Sequence, residues 1–299
     1  MIQHGRKTAQ LPKRVVVLGA KGFVGSHLTA HFKKNGVDVL ALSSKDLNLL
    51  EPLSSDKLGL QLQPNDAVIL VSALTPDRGR DFGTLLNNLA MANHLILALK
   101  KSKVSHVLAI SSDAVFDDNA SLVTEATPRA PGTYHGVMHL ARETALLQSC
   151  KELQIPLMIV RPSAIYGPGD THRGYGPNHF LVTAMESGEI ALFGGGEEKR
   201  DHVYINDVVE LVALCLQHKT TGSVIAVSGQ AVSFMEVAEV VRALAKSVWK
   251  KDVNIKTSVR QNPVTHKHFD ITEVIAAFPS FQATSLGEGL EQTIQTATK

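Results

Sequence analysis

The chain has 299 residues, of which 44% are hydrophobic, and a formal net charge of +2. This length is enough for one large domain or two closely joined ones. The small net charge gives no basic surface for nucleic acid, and we see no apolar run of about 18 residues to cross a membrane. Both cysteines, Cys150 and Cys215, lie in apolar stretches. They favour buried thiols in a reducing, cytoplasmic setting.

The first strong signal is an apolar strand followed by three evenly spaced glycines. Residues 15–18 are an unbroken apolar run, typical of a parallel strand buried on both faces. Gly19, Gly22 and Gly25 follow, and residues 26–34 are compatible with a helix. In such a unit the glycines allow a tight turn, close approach of a pyrophosphate and close packing of the helix on the strand. The free N–H groups at the helix start favour phosphate, so the segment predicts a dinucleotide-binding turn.

The end of the second strand bears on the choice of dinucleotide. Residues 37–42 form this predicted strand, and Ser43, Ser44 and Lys45 follow it. An acidic side chain at this point binds the ribose hydroxyls of NAD, whereas a cation with hydroxyls suits the 2′-phosphate of NADP. The sequence therefore favours NADP over NAD. The alternative is that Lys45 is a solvated charge and Asp46 supplies the acid that NAD requires.

Further apolar runs alternate with helical segments along the first half of the chain. Residues 66–73, 107–111 and 157–160 are predicted strands, and residues 82–101 are a predicted long helix. This alternation predicts an α/β fold with a Rossmann-type, doubly wound parallel sheet. Such sheets bind ligands at the carboxyl ends of their strands. The polar residues expected to converge there are Ser43, Ser72, Ser112 and Ser163.

The second half of the chain is richer in glycine and proline, which indicates a different organisation. We predict a dinucleotide-binding domain at residues 13–162, joined by segments near residues 200–228. A smaller, mostly C-terminal α/β region for substrate is predicted at residues 163–199 and 229–299. Residues 1–12 are polar, and we expect them to be a loose tail.

Several short segments, in the same order along the chain, resemble motifs of the extended short-chain dehydrogenase/reductase family. Its epimerases, dehydratases and reductases act on nucleotide-linked sugars. The resemblance covers most of residues 13–293. The segments that carry it are Gly19-x-x-Gly22-x-x-Gly25, residues 111–116, Tyr134, residues 161–168, residues 200–208, Arg260 and residues 286–290.

The resemblance implies hydride transfer between a sugar carbon and a nicotinamide cofactor, and a homodimer. It implies that Ser112 hydrogen-bonds the substrate and that Tyr134 carries the proton. It also implies that Arg200 and Arg260 bind the substrate diphosphate, because a planar guanidinium can donate two parallel hydrogen bonds to phosphate oxygens. The predicted cofactor contacts are Gly19, Gly22, Phe23, Val24, Gly25, Ser43, Lys45, Ser72, Ala73, Tyr134 and Pro162. The predicted substrate contacts are Ser112, Asn178, Arg200 and Arg260. No metal is expected, because the 13 histidines match no zinc-ligand spacing.

One position departs from the family pattern. A phenol has a pKa of about 10, and the family lowers it with a lysine four residues after the tyrosine, on the same helix face. That position after Tyr134 is Met138, which carries no charge. Each pKa unit regained by the phenol corresponds to about 1.4 kcal/mol of ionisation free energy. The departure therefore predicts slow turnover at neutral pH.

Four interpretations of Met138 remain open from the sequence. The protein is a slow enzyme that relies on Ser112 and the charge of the cofactor, or another cation enters the space of the lysine. Arg142, one helical turn further on, is better placed for that than His139. Otherwise the protein is a non-catalytic cofactor-binding regulator or scaffold, or Met138 is an engineered replacement of a lysine.

Overall fold

The computed structural model describes residues 2–170 and 176–297. The strands are β1 (Arg14–Leu18), β2 (Asp38–Leu42), β3 (Asp66–Leu70), β4 (His106–Ile110), β5 (Leu122–Val123), β6 (Leu157–Pro162), β7 (Ala164–Tyr166), β8 (Glu189–Ala191), β9 (Lys199–Tyr204), β10 (Gly222–Ala226), β11 (Ala231–Ser233), β12 (Asn254–Lys256) and β13 (His268–Phe269). The helices are α1 (Phe23–Lys34), α2 (Ser54–Gly59), α3 (Phe82–Lys101), α4 (Tyr134–Leu153), α5 (Pro177–Glu186), α6 (Ile205–Gln217), α7 (Phe234–Trp249), α8 (Thr272–Ala277) and α9 (Leu286–Ala297).

The main sheet has six parallel strands in the order β10-β6-β4-β3-β1-β2. The chain runs outwards from β1 to β2 and then returns to the other side of β1 at β3. This reversal is the switch point where doubly wound sheets bind ligands, beyond the carboxyl ends of the strands. The predicted Rossmann-type fold is confirmed.

Both faces of the sheet are covered, as the continuous apolar strands require. In β1, Val15 and Val17 pack into one core cluster, whereas Val16 and Leu18 pack into the cluster on the opposite face. Helix α3 is long and apolar enough to cross a membrane, but it packs against α2 and α4. A core helix of an α/β domain can be equally long and apolar. Packing within the protein therefore explains the composition of α3.

The remaining strands build the smaller region. A three-stranded sheet has the order β11-β9-β7, and the two pairs β12-β8 and β13-β5 stand apart from it. Strand β7 begins two residues after β6 ends and leaves the main sheet to pair with β9, while β10 rejoins the main sheet beside β6. The chain therefore crosses between the two regions at these strands.

The expectation of a loose tail at residues 1–12 is wrong for much of that segment. Gln3 forms an antiparallel bridge with Thr221. The His4 ring lies 2.9 Å through Nε2 from the carbonyl oxygen of Ala277. The segment is held by backbone hydrogen bonds and by the His4 ring. Such polar contacts produce no apolar pattern in the sequence, so they could not be predicted from it.

Candidate active site

The glycine turn has the geometry that its spacing predicts. Gly19 has a φ of +94°, and a Cβ there would lie 2.8 Å from the backbone nitrogen of Ser72. A Cβ on Gly25 would collide with the carbonyl oxygen of Gly19. Gly22 precedes α1, which has no side-chain cap at its start. The turn is therefore a bare backbone cradle with the first N–H groups of α1 open to an anion.

The other predicted contacts beside this turn lie on α1 and at the end of β3. Phe23 and Val24 are the first two residues of α1 and are half-buried. Ser72 donates its backbone N–H to the carbonyl of Leu18 at 2.9 Å, and Ala73 follows it in the same half-buried loop. These residues surround the switch point between β1 and β3.

At the end of β2 a carboxylate is fixed beside the predicted serine. Asp46 accepts hydrogen bonds from the backbone N–H and the hydroxyl of Ser43, at 2.9 and 2.5 Å. These bonds lower the pKa of Asp46, so the group is anionic at neutral pH. The side chain of Lys45 is exposed next to it. Both the acid that suits NAD and the cation that suits NADP thus lie at this strand end.

Helix α4 buries the face that carries Met138 and Arg142. Thr133 caps the helix by accepting a hydrogen bond from Gly136 N–H at 3.2 Å. Tyr134 is the first helical residue and is 51% exposed, and its ring is tilted by 56° to the exposed ring of Phe82, with 5.9 Å between the centroids. Met138, one turn further on the same face, is buried. Tyr134 is therefore accessible at the start of the helix, and its catalytic role stays a prediction.

The inward face of α4 also carries two histidines, of which the sequence named His139 only as a less well placed cation than Arg142 and did not single out His135. His139 is buried, and its ring lies 4.7 Å from that of His135, edge to face. Burial, with the nearby charge of Arg142, lowers the pKa of both imidazoles, that of His139 most strongly. Both rings are therefore neutral at pH 7. Their spacing of four residues on one face was the available signal.

Ser112 stands where β4 ends, as predicted. Its hydroxyl accepts the N–H of Ala114 at 3.1 Å and lies 3.4 Å from the carboxylate of Asp113. The Lys267 ammonium is 3.6 Å from that carboxylate, on the segment leading into β13. Burial raises the pKa of Asp113, although Lys267 opposes this rise. This Lys267–Asp113 pair could not be predicted from the sequence, because its members are 154 positions apart.

A buried ion network joins α4 to the ends of β4 and β6. Arg161 binds the two carboxylate oxygens of Glu143 at 2.9 and 2.8 Å and reaches Glu125 at 3.3 Å. The Ser111 hydroxyl donates to Glu143 at 2.5 Å. Each of the three guanidinium nitrogens thus has a carboxylate partner, and Pro162 is buried as the last residue of β6. The network holds α4 in register with the serine at the end of β4.

The other three predicted substrate residues lie in the smaller region, and each is already hydrogen-bonded within the protein. The amide of Asn178 donates to the carbonyl of Gly167 at 2.9 Å. The Arg200 guanidinium donates to Thr265 O at 2.7 Å. Arg260 binds the carboxylate of Glu198 at 2.6 and 3.0 Å and also contacts Glu197. Carboxylates therefore occupy the fork of Arg260, where a diphosphate is predicted, and sequence patterns do not reveal such local pairs.

His202, on β9, is a buried histidine with an unusual environment. Neither of its ring nitrogens has a hydrogen-bond partner among residues 2–170 and 176–297, and its ring lies 5.9 Å from that of Phe234. Burial lowers the pKa of His202 to about 4. In the unfolded chain the pKa returns to about 6.5, so the unfolded state binds the proton more readily below that pH.

A His202→Phe variant is therefore expected to resist acid better than the wild type. The stability contributed by neutral His202 is present above pH 6.5 and is lost as the pH falls towards 4. Between pH 7 and 5 this loss is about 2 kcal/mol of unfolding free energy in the wild type, and the variant escapes it. Urea unfolding at both pH values measures the difference. An equal pH dependence in the two proteins would contradict the prediction.

Comparisons with known proteins agree with this geometry. The family model described as the NAD dependent epimerase/dehydratase family matches residues 15–228, and a model of the fimbrial assembly protein PilN matches the shorter segment 216–274. The ADP-L-glycero-D-manno-heptose-6-epimerase of Alkalilimnicola ehrlichii is 26% identical, over 76% of this chain and 79% of its own. The UDP-glucose 4-epimerase of Vibrio cholerae is 28% identical, over 82% of this chain and 80% of its own.

A solved structure extends the likeness across the fold. The GDP-L-fucose synthetase of Naegleria fowleri, bound to NADP, has a TM-score of 0.83 at 16% identity and covers 99% of this chain and 96% of its own. The PilN match begins inside α6 and indicates no separate unit, because β10 belongs to the main sheet. The epimerase/dehydratase model spans the glycine turn, Ser112 and the buried Arg161–Glu143 pair, well over half of the chain. The chain therefore belongs to the NAD-dependent epimerase/dehydratase family, as its resemblance to the extended short-chain dehydrogenases predicted.

Proposed function

We propose that this protein transfers hydride between NAD(P) and a carbon of a nucleotide-linked sugar, in an epimerisation, dehydration or reduction. The observation that carries the proposal is the bare cradle of Gly19 and Gly25 at the switch point. The two relatives named above, which act on ADP- and UDP-linked sugars according to their names, support the substrate class.

The chain's own residues would divide the work. NAD(P), when bound, supplies or accepts the hydride. Ser112 donates a hydrogen bond to the sugar carbonyl oxygen, and Tyr134 exchanges the proton. Arg200 and Arg260 hold the diphosphate, which replaces the carboxylates of Glu197 and Glu198 on Arg260. The oxygens of a diphosphate can accept the same bidentate hydrogen bonds from Arg260 that the carboxylates accept in this structure.

Three further features belong to the proposal. We propose that Lys45 favours NADP over NAD, and that the protein works in the cytoplasm. We also propose a homodimer formed through α3 and α4. These helices expose four large apolar side chains besides the proposed catalytic tyrosine, an unusual density for a solvated surface. They are Phe82, Leu86, Val137 and Leu147.

A second candidate function is that of a non-catalytic NAD(P)-binding regulator or scaffold. Two observations favour it. Met138 is buried at the position of the family lysine, and Tyr134 is half exposed beside Phe82. Neither observation affects the cofactor cradle, so the two candidate functions differ in turnover and not in dinucleotide binding.

A panel of nucleotide sugars with NADPH, NADH and their oxidised forms separates the candidates. The enzyme proposal predicts turnover with at least one sugar. Ser112→Ala and Tyr134→Phe variants should then lose about a hundredfold or more in rate while keeping the cofactor affinity. The regulator alternative predicts cofactor binding without turnover of any substrate. Unchanged turnover in the Tyr134→Phe variant would remove the tyrosine from the mechanism.

A further inference from the structure

Arg142 is a buried guanidinium without an anionic partner. Its side chain is 3% exposed. Nη2 donates to the carbonyl oxygen of Ser72 at 2.7 Å, and Nη1 lies 3.7 Å from the sulfur of Met138. Neither group carries a charge, and no carboxylate in the described part of the chain forms an ion pair with it. The charge is therefore held by one neutral carbonyl and one thioether.

Two other largely buried arginines of this protein show what such a group ordinarily requires. Arg14 binds both carboxylate oxygens of Asp66 at 2.8 and 2.7 Å. Arg161 binds both oxygens of Glu143 in the same way. Burying a charge without such a partner is costly, so an unpaired buried cation points to a counter-charge that arrives with a ligand.

The position of the guanidinium identifies where that ligand lies. Ser72 is at the exit of β3, and its backbone nitrogen is the atom that a Cβ on Gly19 would strike. Arg142 is thus separated from the glycine turn by the backbone of one residue. On its other side it contacts Met138, at the position where the family carries its lysine.

The surrounding groups leave the positive charge uncompensated. His135 and His139 lie on the same helix face, and both are kept neutral, in part by Arg142 itself. Burial lowers the pKa of Arg142 to about 10, which still leaves it protonated at pH 7. Glu143, also buried on α4, is neutralised by its pair with Arg161, whereas the charge of Arg142 has no ion-pair partner among residues 2–170 and 176–297.

We propose that Arg142 is a cofactor-binding residue whose counter-charge is the anionic pyrophosphate–ribose portion of a bound dinucleotide, and that it replaces the cation missing at Met138. The inference rests on the proposed function, since it requires the dinucleotide to bind at the glycine turn. In this proposal α4 still supplies the cation for the cofactor, but from Arg142, one helical turn after the family lysine position at Met138.

An Arg142→Met variant tests this with two readouts of opposite sign. Without ligand, the variant should melt at the same temperature as the wild type or higher, because an unpaired buried charge is replaced by an apolar chain of similar length. Its affinity for NADPH and NADH, measured by calorimetry, should fall about tenfold or more, because charge-assisted hydrogen bonds are lost. A purely structural arginine would give the reverse pattern.

A double variant and a matched control complete the experiment. Met138→Lys with Arg142→Met moves the cation one turn back along the helix and should recover most of the affinity. Arg14→Met breaks a buried pair at the opposite end of β1, so it should lower the melting temperature and leave the affinity unchanged.

Loss of affinity in Arg142→Met with recovery in the double variant supports the proposal. An unchanged affinity in Arg142→Met, or a loss that Met138→Lys does not repair, overturns it while leaving the proposed function standing. A wild-type protein that binds neither dinucleotide overturns both.

Discussion

A Gly25→Ala variant is expected to lose dinucleotide binding almost completely. The added methyl would collide with the carbonyl oxygen of Gly19, which is backbone and has no other rotamer to adopt. Helix α1 must then move away from the turn, and the N–H groups that cradle the phosphates move with it. We expect the affinity to fall about a hundredfold or more, and the overpacking to cost about 1–3 kcal/mol of unfolding free energy.

Gly287→Ala is the matched control. Gly287 is also in a helix, α9, and a Cβ there meets no atom within 4 Å. The same substitution should leave dinucleotide affinity unchanged and stabilise the protein by up to about 1 kcal/mol, because alanine has the higher helix propensity. Calorimetric titration and urea unfolding of both variants measure the two effects. Wild-type affinity in Gly25→Ala would show that the glycine turn does not form the cofactor site.

A Glu143→Gln variant is expected to be the most destabilised of the polar substitutions. It removes the charge that compensates Arg161, which is 1% exposed and keeps only the longer contact to Glu125. Breaking a buried pair by removing one partner costs about 3–5 kcal/mol, because the other charge stays buried. Replacing both partners, as in Glu143→Met with Arg161→Met, should recover much of that loss.

The control for Glu143→Gln is an exposed pair of the same type. Glu239 pairs with Arg242 one turn apart on the surface of α7. A Glu239→Gln substitution should change the unfolding free energy by less than about 1 kcal/mol. Urea unfolding at pH 7 gives the unfolding free energies of the wild type, the two single variants and the double variant. Similar losses for Glu143→Gln and Glu239→Gln would show that the Arg161 network contributes little to stability.

The sequence predicted the main sheet and the glycine turn because both are local. Each strand is a continuous apolar run, and the three glycines must stand at fixed spacing next to β1. The same holds for Ser112, which follows directly after a strand. Parallel strands bring their carboxyl ends to one edge, so a residue that ends a strand is placed without knowledge of distant contacts.

The sequence did not predict which side of α4 faces the sheet. The burial of each side chain on that helix depends on its packing against α3 and the sheet, so Tyr134 in the first turn is half exposed while Met138 and His139 are buried. Arg142 was named as the better placed of two cations for the space of the missing lysine, but its lack of a carboxylate partner is a property of the folded protein. Motifs fix residue spacing, whereas partners depend on tertiary contacts.

The ion pairs of the smaller region were also beyond sequence reasoning. Arg260 and Glu198 are 62 residues apart, and Lys267 and Asp113 are farther still. Each pair forms because two distant strands or loops meet at the edge of β9 or β13. The sequence identified Arg260 as a candidate phosphate-binding residue, but it did not predict the ion pairs of Arg260 with Glu197 and Glu198.

The most direct test of the account is a calorimetric titration of the purified protein, stripped of any bound dinucleotide, with NADPH and with NADH. We expect one site per chain for at least one of them, with NADPH the tighter ligand if Lys45 meets the 2′-phosphate. Tighter binding of NADH would assign the end of β2 to Asp46 and reverse the cofactor preference. Binding of neither would contradict the central claim that the glycine turn of this chain holds a dinucleotide.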